Sequence, residues 1–367
     1  MINVLILVHN LRVANGVASF AMNYYRDLDQ CNVHMDFALY EELPSPYYDE
    51  IRMRGSDIYI LPSVKNIKEH VKKCNEIISA RKYDVIHDNT LLLSMPMMFC
   101  AKMKNIPVRI LHSHNTKMGE TAKKELRNKV FLPLLLWSAT DYSACSQMAG
   151  KALFGKRSFE VLPNVIQLKE YWFDTNTRNR IRLNMEAQDK FVVGTVGRLA
   201  EQKNPFFAMD VFACLLKKIP NAEYWWVGSG LLQEQLETYI KKKGLSGHVK
   251  LLGSRNDVID LYQAMDCFFL PSLFEGLPVT GVEAQAMGLP MVVSDTITDE
   301  MVYTDLVTFV GLGEPIENWA RYIEKALDCD VERTQYSHKL ECSEFSNVGC
   351  GKRITSFYRK ALQCSGG

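Results

Sequence analysis

Short apolar runs alternate with helical stretches from one end of this chain to the other, and that alternation restricts the fold more than any other feature. In the first half the runs fall at 3–8, 33–39, 57–61, 84–87, 107–112 and 140–145. Amphipathic stretches near 17–28, 64–80, 91–104 and 120–138 separate them. In the second half, runs at 190–197, 222–227, 248–252, 266–270, 290–294 and 306–310 repeat the arrangement. Strands that alternate with helices of ten or more residues pair in parallel, because a parallel neighbour needs a long crossover. The expected fold class is α/β, with two Rossmann-like, doubly wound parallel-sheet domains facing a cleft. A chain of 367 residues also exceeds what one ordinary core organises. The polar stretch around 165–188 sets the boundary, giving a first domain over 1–165 and a second over 166–346. Residues 347–367 then form a C-terminal helix that packs back on the first domain.

Composition removes several function classes. A net charge of +1 argues against nucleic acid, since proteins that track phosphate backbones carry a clear basic excess. No run of 18 apolar residues occurs, so no membrane-spanning helix is expected. The N-terminus enters Asn3-Val4-Leu5-Ile6-Leu7-Val8 directly and reads as a strand, not a signal peptide. Ten cysteines stand singly with no CxxC spacing, which fits free, buried thiols in a reducing cytoplasm. No Walker A motif is present.

The chemistry-bearing residues cluster after the strands of the second half. Glu275 and Glu283 flank a loop-to-helix junction, Phe274-Glu275-Gly276-Leu277-Pro278-Val279-Thr280-Gly281-Val282-Glu283. Pro278 suits a first helical position, and Gly288 with Pro290 stops the helix. Two carboxylates about 8–10 Å apart at roughly 1.5 Å per residue suit two hydroxyl-rich ends of one ligand. The helix N-terminus between them is a seat for phosphate. Sugar, phosphate and ribose in that order describe a nucleotide-sugar. Arg198 and Lys203 precede a helix with Asn204 at its N-cap and Pro205 at its first position, where two cations can neutralise a diphosphate. Gly228-Ser229-Gly230 is half a dinucleotide fingerprint and reads more simply as a tight strand-to-helix turn. Ser254 and Arg255 end the third strand of that half, where a base can rest on backbone.

In the first half, the turn Val13-Ala14-Asn15-Gly16-Val17-Ala18 follows strand one, and Asn15 and Gly16 both tolerate positive φ. His9, His87, His112 and His114 fall at strand ends, with Asp88 beside them. That set is an acceptable metal-ligand combination, but His112 and His114 are expected to share a site only if their strand has already ended. No metal site is assigned. Asp27-Leu28-Asp29 and Asp328-Cys329-Asp330 match Asp-x-Asp, yet both sit at helix ends and read as solvated. Residues 117–129 hold five basic and two acidic residues ahead of Val130-Phe131-Leu132-Pro133-Leu134-Leu135-Leu136-Trp137. Such a segment rests either on an anionic membrane or against its own sheet.

As a set, Gly197-Arg198-Leu199 with Lys203-Asn204, then Val227-Gly228-Ser229-Gly230, then Pro271 through Glu283, then Ala286-Met287-Gly288-Leu289-Pro290 resembles the retaining family 4 glycosyltransferases of the GT-B fold. His112-Ser113-His114-Asn115 is similar to the bacterial capsule and exopolysaccharide branch. The resemblance implies an acceptor-side first domain and a nucleotide-sugar-binding second domain. It implies a metal-independent hexosyltransferase without cofactor, moving a hexose or N-acetylhexosamine from a UDP-sugar to a saccharide or lipid-linked saccharide. Arg198 and Lys203 then hold the diphosphate, Glu275 the sugar hydroxyls, and Glu283 the ribose. Gly16, Gly228, Ser254, Arg255, Gly276, Leu277 and Pro278 line the donor, and His114, preferred over His112, approaches its sugar. A cytoplasmic enzyme is the expected setting, with contact at the inner face of an anionic membrane as one of the two placements left open for residues 117–137. The chain departs from the family pattern at Asn15 and Ala18, where a glycine and an acid are usual, and at Val165. An epimerase or hydrolase on a similar scaffold, or a non-catalytic nucleotide-sugar-binding partner, are the alternatives.

Overall fold

The computed structural model describes residues 1–13, 15–119, 122–329 and 331–365. Ala14 and Asp330, each part of a motif above, lie outside the described residues, as do Glu120, Thr121 and the last two glycines. The chain divides into two compact units, 1–165 with 347–367, and 166–346. Each holds one all-parallel sheet. The α/β expectation of two doubly wound, Rossmann-like sheets is borne out.

The first unit has strands β1 (Ile2–Val8), β2 (Val33–Leu39), β3 (Ile58–Ile60), β4 (Val85–Asp88), β5 (Val108–Ser113), β6 (Asp141–Ala144) and β7 (Glu160–Val161). They lie in the order β3-β2-β1-β4-β5-β6-β7. Predicted boundaries agree with the observed ones to within a residue or two. The two-residue β7 leaves no periodicity to read and was not separately expected. The helix expected near 91–104 is split, with a 3-10 turn at Leu91–Ser94 before the α-helix Met95–Met103. Leu91 has φ +54°, a left-handed conformation unusual for a branched apolar residue.

The C-terminal helix Cys350–Ser365 belongs to this first unit. Its Cys350, Ile354, Tyr358 and Ala361 enter the same core as Val4, Ile6, Phe20 and Phe37. Gly351 permits the approach: a Cβ there would lie 2.1 Å from the Asp27 carbonyl oxygen. Asp27 in turn accepts from the Gly351 N–H at 2.8 Å, so this aspartate caps a helix rather than standing only in solvent. The side chain of Asp328, in the second Asp-x-Asp, is not among those described.

The second unit has β8 (Phe191–Val196), β9 (Ala222–Val227), β10 (Val249–Gly253), β11 (Cys267–Leu270), β12 (Met291–Ser294) and β13 (Val307–Val310), in the order β10-β9-β8-β11-β12-β13. β8 and β9 are buried along their whole length, as strands covered by helices on both faces must be. Trp226, Tyr224, Phe212 and Trp319 fill the core on one face. In both sheets the chain order reverses beside the first strand, between β1 and β4 and between β8 and β11. Ligands of open parallel sheets bind outside the carboxyl ends of strands at such a switch point.

All ten cysteines are free thiols. Cys31, Cys329, Cys342 and Cys364 are exposed, which corrects the expectation that they are uniformly buried.

Candidate active site

The switch point of the second sheet is where the predicted donor residues converge. After β8 the chain makes a loop and a 3-10 turn, Glu201–Lys203, that carries Arg198 and Lys203. After β11 the segment 271–278 carries Glu275 into the helix Val279–Ala286. The two segments are tied together by Gln202, whose backbone oxygen accepts from Leu273 N at 2.8 Å. Its side-chain amide donates to Phe274 O at 3.0 Å and to Glu275 Oε2 at 3.2 Å. Lys203 Nζ then meets Glu275 Oε1 at 2.7 Å. Both side chains are about nine-tenths withdrawn from water, at 12% and 10% exposure.

Burying an ion pair costs desolvation that Coulomb attraction only partly offsets. This pair is therefore weak evidence of a stabilising device and stronger evidence of a site held ready. An ammonium has three N–H donors, so Lys203 can hold Glu275 and a ligand oxygen together.

Glu283 lies in the second turn of its helix and keeps part of its surface open. Its Oε1 accepts from the Tyr171 hydroxyl at 2.7 Å and its Oε2 from the Tyr262 hydroxyl at 2.8 Å. Burial raises its pKa, while the tyrosyl hydrogen bonds and the nearby Lys203 charge pull the other way. A carboxylate has about four lone-pair sites, so two remain for hydroxyls of a ligand. Tyr171, Tyr262 and Gln202 were absent from the sequence reading, because a lone tyrosine or glutamine carries no spacing signal. Pro278 occupies the N-cap position, one residue earlier than expected.

The neighbouring strand ends are sewn to this one. Gly228 has φ +133°, and a Cβ there would sit 2.1 Å from the Gly197 carbonyl oxygen. Only glycine lets the loop after β9 lie against the loop that carries Arg198. Leu199 N donates to Ser229 O at 3.1 Å, Gly228 N to Gly253 O at 2.7 Å, and the Ser229 and Ser254 hydroxyls are 3.0 Å apart. Gly228-Ser229-Gly230 thus forms the tight turn expected. Arg198 is exposed on this lattice of backbone. Arg255 is engaged by Asp257 through two bonds, at 2.7 and 2.5 Å. Gly276 and Leu277 belong to the segment that Gln202 anchors. Asn204 stands at the N-cap with φ +53° and no side-chain capping bond, so the expected cap is present in position but not in hydrogen bonding.

In the first unit, Asn15 is extended and caps the helix that begins at Gly16, accepting from Val17 N at 3.0 Å. Its expected left-handed turn is not adopted. β5 ends at Ser113, so His114 lies just past it and the condition set for a shared site is met. His114 also stands two residues from His112, a spacing that keeps side chains on one face of extended chain, and the two rings stack at 4.2 Å and 9°. His87 Nε2 lies 3.2 Å from His112 Nδ1, and His87 Nδ1 lies 2.8 Å from the Tyr358 hydroxyl. His9 stands apart, exposed and 3.6 Å from Glu41. Among the described residues no group of three His, Cys, Asp or Glu side chains is arranged to hold a metal ion.

Burial holds the three stacked rings neutral. The pKa of His87 and of His114 falls to about 3, and that of His112 also drops well below its ordinary value. An unfolded histidine takes up a proton near pH 6.5, so stability present above that pH is lost as pH falls from 6.5 toward 3. His87 and His114 each contribute about 2 kcal/mol between pH 6.5 and 5, at roughly 1.4 kcal/mol per pKa unit, and His112 acts in the same sense. Asp88, raised to about 6 by burial, and Glu283, also raised, offset part of this in the opposite sense. Three rings outweigh two carboxyls, so urea midpoints are expected to fall clearly between pH 6.5 and 5. A flat profile there contradicts neutral buried rings.

Comparison with known proteins bears on this geometry. The model for glycosyl transferases group 1 matches residues 177–340. The putative glycosyltransferase EpsF of Bacillus subtilis is 32% identical over 329 residues, covering 85% of this chain and 84% of that protein. The UDP-Gal:alpha-D-GlcNAc-diphosphoundecaprenol alpha-1,3-galactosyltransferase of Escherichia coli is 28% identical over 60% of each chain. The crystal structure of HepE from Anabaena in complex with UDP-glucose superposes with a TM-score of 0.79 at 20% identity, over 98% of this chain and 100% of that one. A model for the tumour necrosis factor receptor SECRET domain also matches residues 1–105. Those residues supply β1 to β4 of a parallel sheet that β5 to β7 complete, and the match carries no functional weight beside an alignment to HepE that spans them. The chain belongs to the group 1 glycosyltransferases of the GT-B fold.

Proposed function

We propose that this chain is a retaining, metal-independent hexosyltransferase. It takes a hexose or N-acetylhexosamine from a UDP-sugar and delivers it to a saccharide or lipid-linked saccharide during surface-polysaccharide synthesis. The observation that carries the reading is the buried Lys203–Glu275 pair, 2.7 Å apart at the switch point of the second sheet, with Glu283 in the helix that follows. The UDP-containing complexes of HepE and the UDP-galactose donor in the name of the Escherichia coli relative support the choice of nucleotide.

In this reading Arg198 and Lys203 take the diphosphate and stabilise the charge that grows on it as the glycosidic bond breaks. Glu275 accepts from sugar hydroxyls and Glu283 from ribose hydroxyls. Backbone at Gly276 and Leu277 completes the cradle, with Gly228 and Ser254 toward the base. The acceptor hydroxyl attacks the anomeric carbon from the leaving-group face, its proton passing to the departing phosphate, so configuration is retained. Two cations supply the positive charge, and no cofactor is required. The test is UDP release from a panel of UDP-sugars, with and without a saccharide acceptor, in EDTA. Acceptor-dependent release in EDTA is expected. Abolition by the chelator with rescue by a divalent ion contradicts the metal-free mechanism, and full turnover of donor alone points to a hydrolase.

A lipid-linked acceptor calls for a membrane-facing surface, and the helix Ala122–Ser138 offers one. Leu126, Val130, Leu134 and Trp137 are 67%, 66%, 48% and 57% exposed, and successive members are three or four residues apart, on one face. Lys123, Lys124, Arg127 and Lys129 accompany them, with Glu125 paired to Lys129 at 2.9 Å. Among the described residues no helix is long and apolar enough to cross a membrane; the contact in this reading is peripheral, at the inner face of the membrane. Co-sedimentation with vesicles containing anionic lipid is expected, weakened by salt and lost on Leu126→Asp with Val130→Asp. Equal sedimentation of the variant contradicts this surface.

A further inference from the structure

One side chain in the first unit joins the carboxyl ends of three adjacent strands. Asn89 follows β4 and is 7% exposed. Its amide nitrogen donates to Leu7 O of β1 at 3.3 Å and to His87 O of β4 at 3.4 Å. Its own backbone N–H also reaches Leu7 O, at 3.1 Å. Both side-chain partners are carbonyls, so the NH₂ group must face them and the amide oxygen must face away. That oxygen lies 2.8 Å from His114 Nε2, just beyond β5. An amide oxygen only accepts, hence Nε2 carries the proton. The ring is neutral because burial depresses its pKa to about 3. Its second nitrogen, Nδ1, therefore holds a lone pair.

The loop is built to keep this arrangement. Asp88 Oδ1 accepts from Thr90 N at 2.7 Å and from Thr90 Oγ1 at 2.8 Å. Leu91, two residues after Asn89, is held at φ +54°, a conformation that persists in a branched residue only where surrounding structure demands it. His114 is further confined by the stacked His112 ring at 4.2 Å and the edge of Phe20 at 5.0 Å. The titratable groups around it are His112 and His87, with Tyr358 on the far side of His87 and Asp88 beside Asn89.

We propose that Asn89 is a positioning residue that fixes His114 in the Nε2–H tautomer, so that Nδ1 accepts a hydrogen bond from a hydroxyl of a bound sugar. The proposal rests on His114 being the sugar-facing histidine. It gives that histidine a defined polarity: it recognises an O–H donor and cannot serve as a cation toward phosphate.

The test uses the full chain labelled with ¹⁵N-histidine. Long-range proton–nitrogen correlation is expected to show a bare Nδ1 and a protonated Nε2 on His114 from pH 8 down to pH 5. Asn89→Asp places a carboxylate against Nε2–H, so a doubly protonated ring is expected at pH 6. In that variant kcat/KM for UDP-sugar turnover acquires a limb that rises with pH. Asn89→Leu removes the acceptor, and a mixture of tautomers with a loss of kcat/KM of about tenfold to a hundredfold is expected. The KM changes of the donor and of the saccharide acceptor identify which sugar His114 contacts. A protonated Nδ1 in the unaltered protein overturns the proposal, as does an unchanged tautomer and pH profile in both variants. If the unaltered protein turns over no UDP-sugar, the proposed function fails, and the tautomer measurement still decides the part played by Asn89.

Discussion

Lys203→Ala is expected to lose transfer and a substantial part of the stability of the second unit at once. The substitution leaves the Glu275 carboxylate, 7% exposed, without its cation at 2.7 Å. Removing one partner of a buried ion pair costs about 3–5 kcal/mol. Glu275→Gln is the informative companion. It removes the negative charge but keeps an oxygen for Lys203, while its NH₂ now meets the Gln202 amide that donates to Oε2 in the unaltered protein. Some stability is therefore lost here too, and transfer falls by about two to three orders of magnitude. Combining Lys203→Met with Glu275→Gln removes both charges and is expected to recover most of the stability lost in Lys203→Ala, with no activity. The check is a set of urea melts on the three variants beside turnover of a UDP-sugar. Near-normal transfer by Glu275→Gln sinks the assignment of this pair to the donor site.

Arg198→Ala is expected to show the opposite balance. Arg198 is exposed on the loop after β8, and truncating an exposed charged side chain costs less stability than removing one partner of a buried ion pair. Its proposed work is done on the ligand, where removing one donor to a developing negative charge costs about 10²–10³ in kcat. Arg198→Lys keeps the charge but loses the planar fork that meets two phosphate oxygens, and an intermediate rate is expected. A variant with unaltered melting and unaltered turnover removes Arg198 from the mechanism.

The two substitutions separate what burial and exposure do in one site. Lys203 is buried against Glu275, and Arg198 is exposed on the loop after β8. The Gln202 bridge explains how two segments far apart in sequence stay in register: its backbone and side chain bind Leu273, Phe274 and Glu275 together.

Much of this was legible in the residues. Apolar runs such as Phe191–Val196 and Ala222–Val227 read as buried strands because a parallel sheet is covered on both faces. The order Arg198, Lys203, Glu275, Glu283 was legible because each follows a strand end at a short, countable distance. What stayed hidden depends on three-dimensional neighbours. Tyr171 and Tyr262 come from separate helical segments and meet only at Glu283. The shared site of His112 and His114 was legible only as a condition, that their strand has ended, and β5 does end at Ser113; that side chains two apart on extended chain already point the same way was not used. Asn89 gave no signal, since an asparagine after a strand is most often a turn residue; only its three partners reveal what it holds. The positive φ of Leu91 likewise runs against the preference of its residue type, whereas asparagine, as at Asn204, enters that region readily.

The central claim is that the second unit binds a uridine diphosphate sugar through Arg198, Lys203, Glu275 and Glu283. It is tested most directly by thermal melting of the unaltered protein and of Arg198→Ala with UDP, GDP, ADP, NAD and a panel of UDP-sugars, without added metal. The account expects UDP to raise the melting temperature, one UDP-sugar to raise it further, and Arg198→Ala to lose most of both shifts. A rise with ADP or GDP in place of UDP, or no rise with any nucleotide, contradicts it.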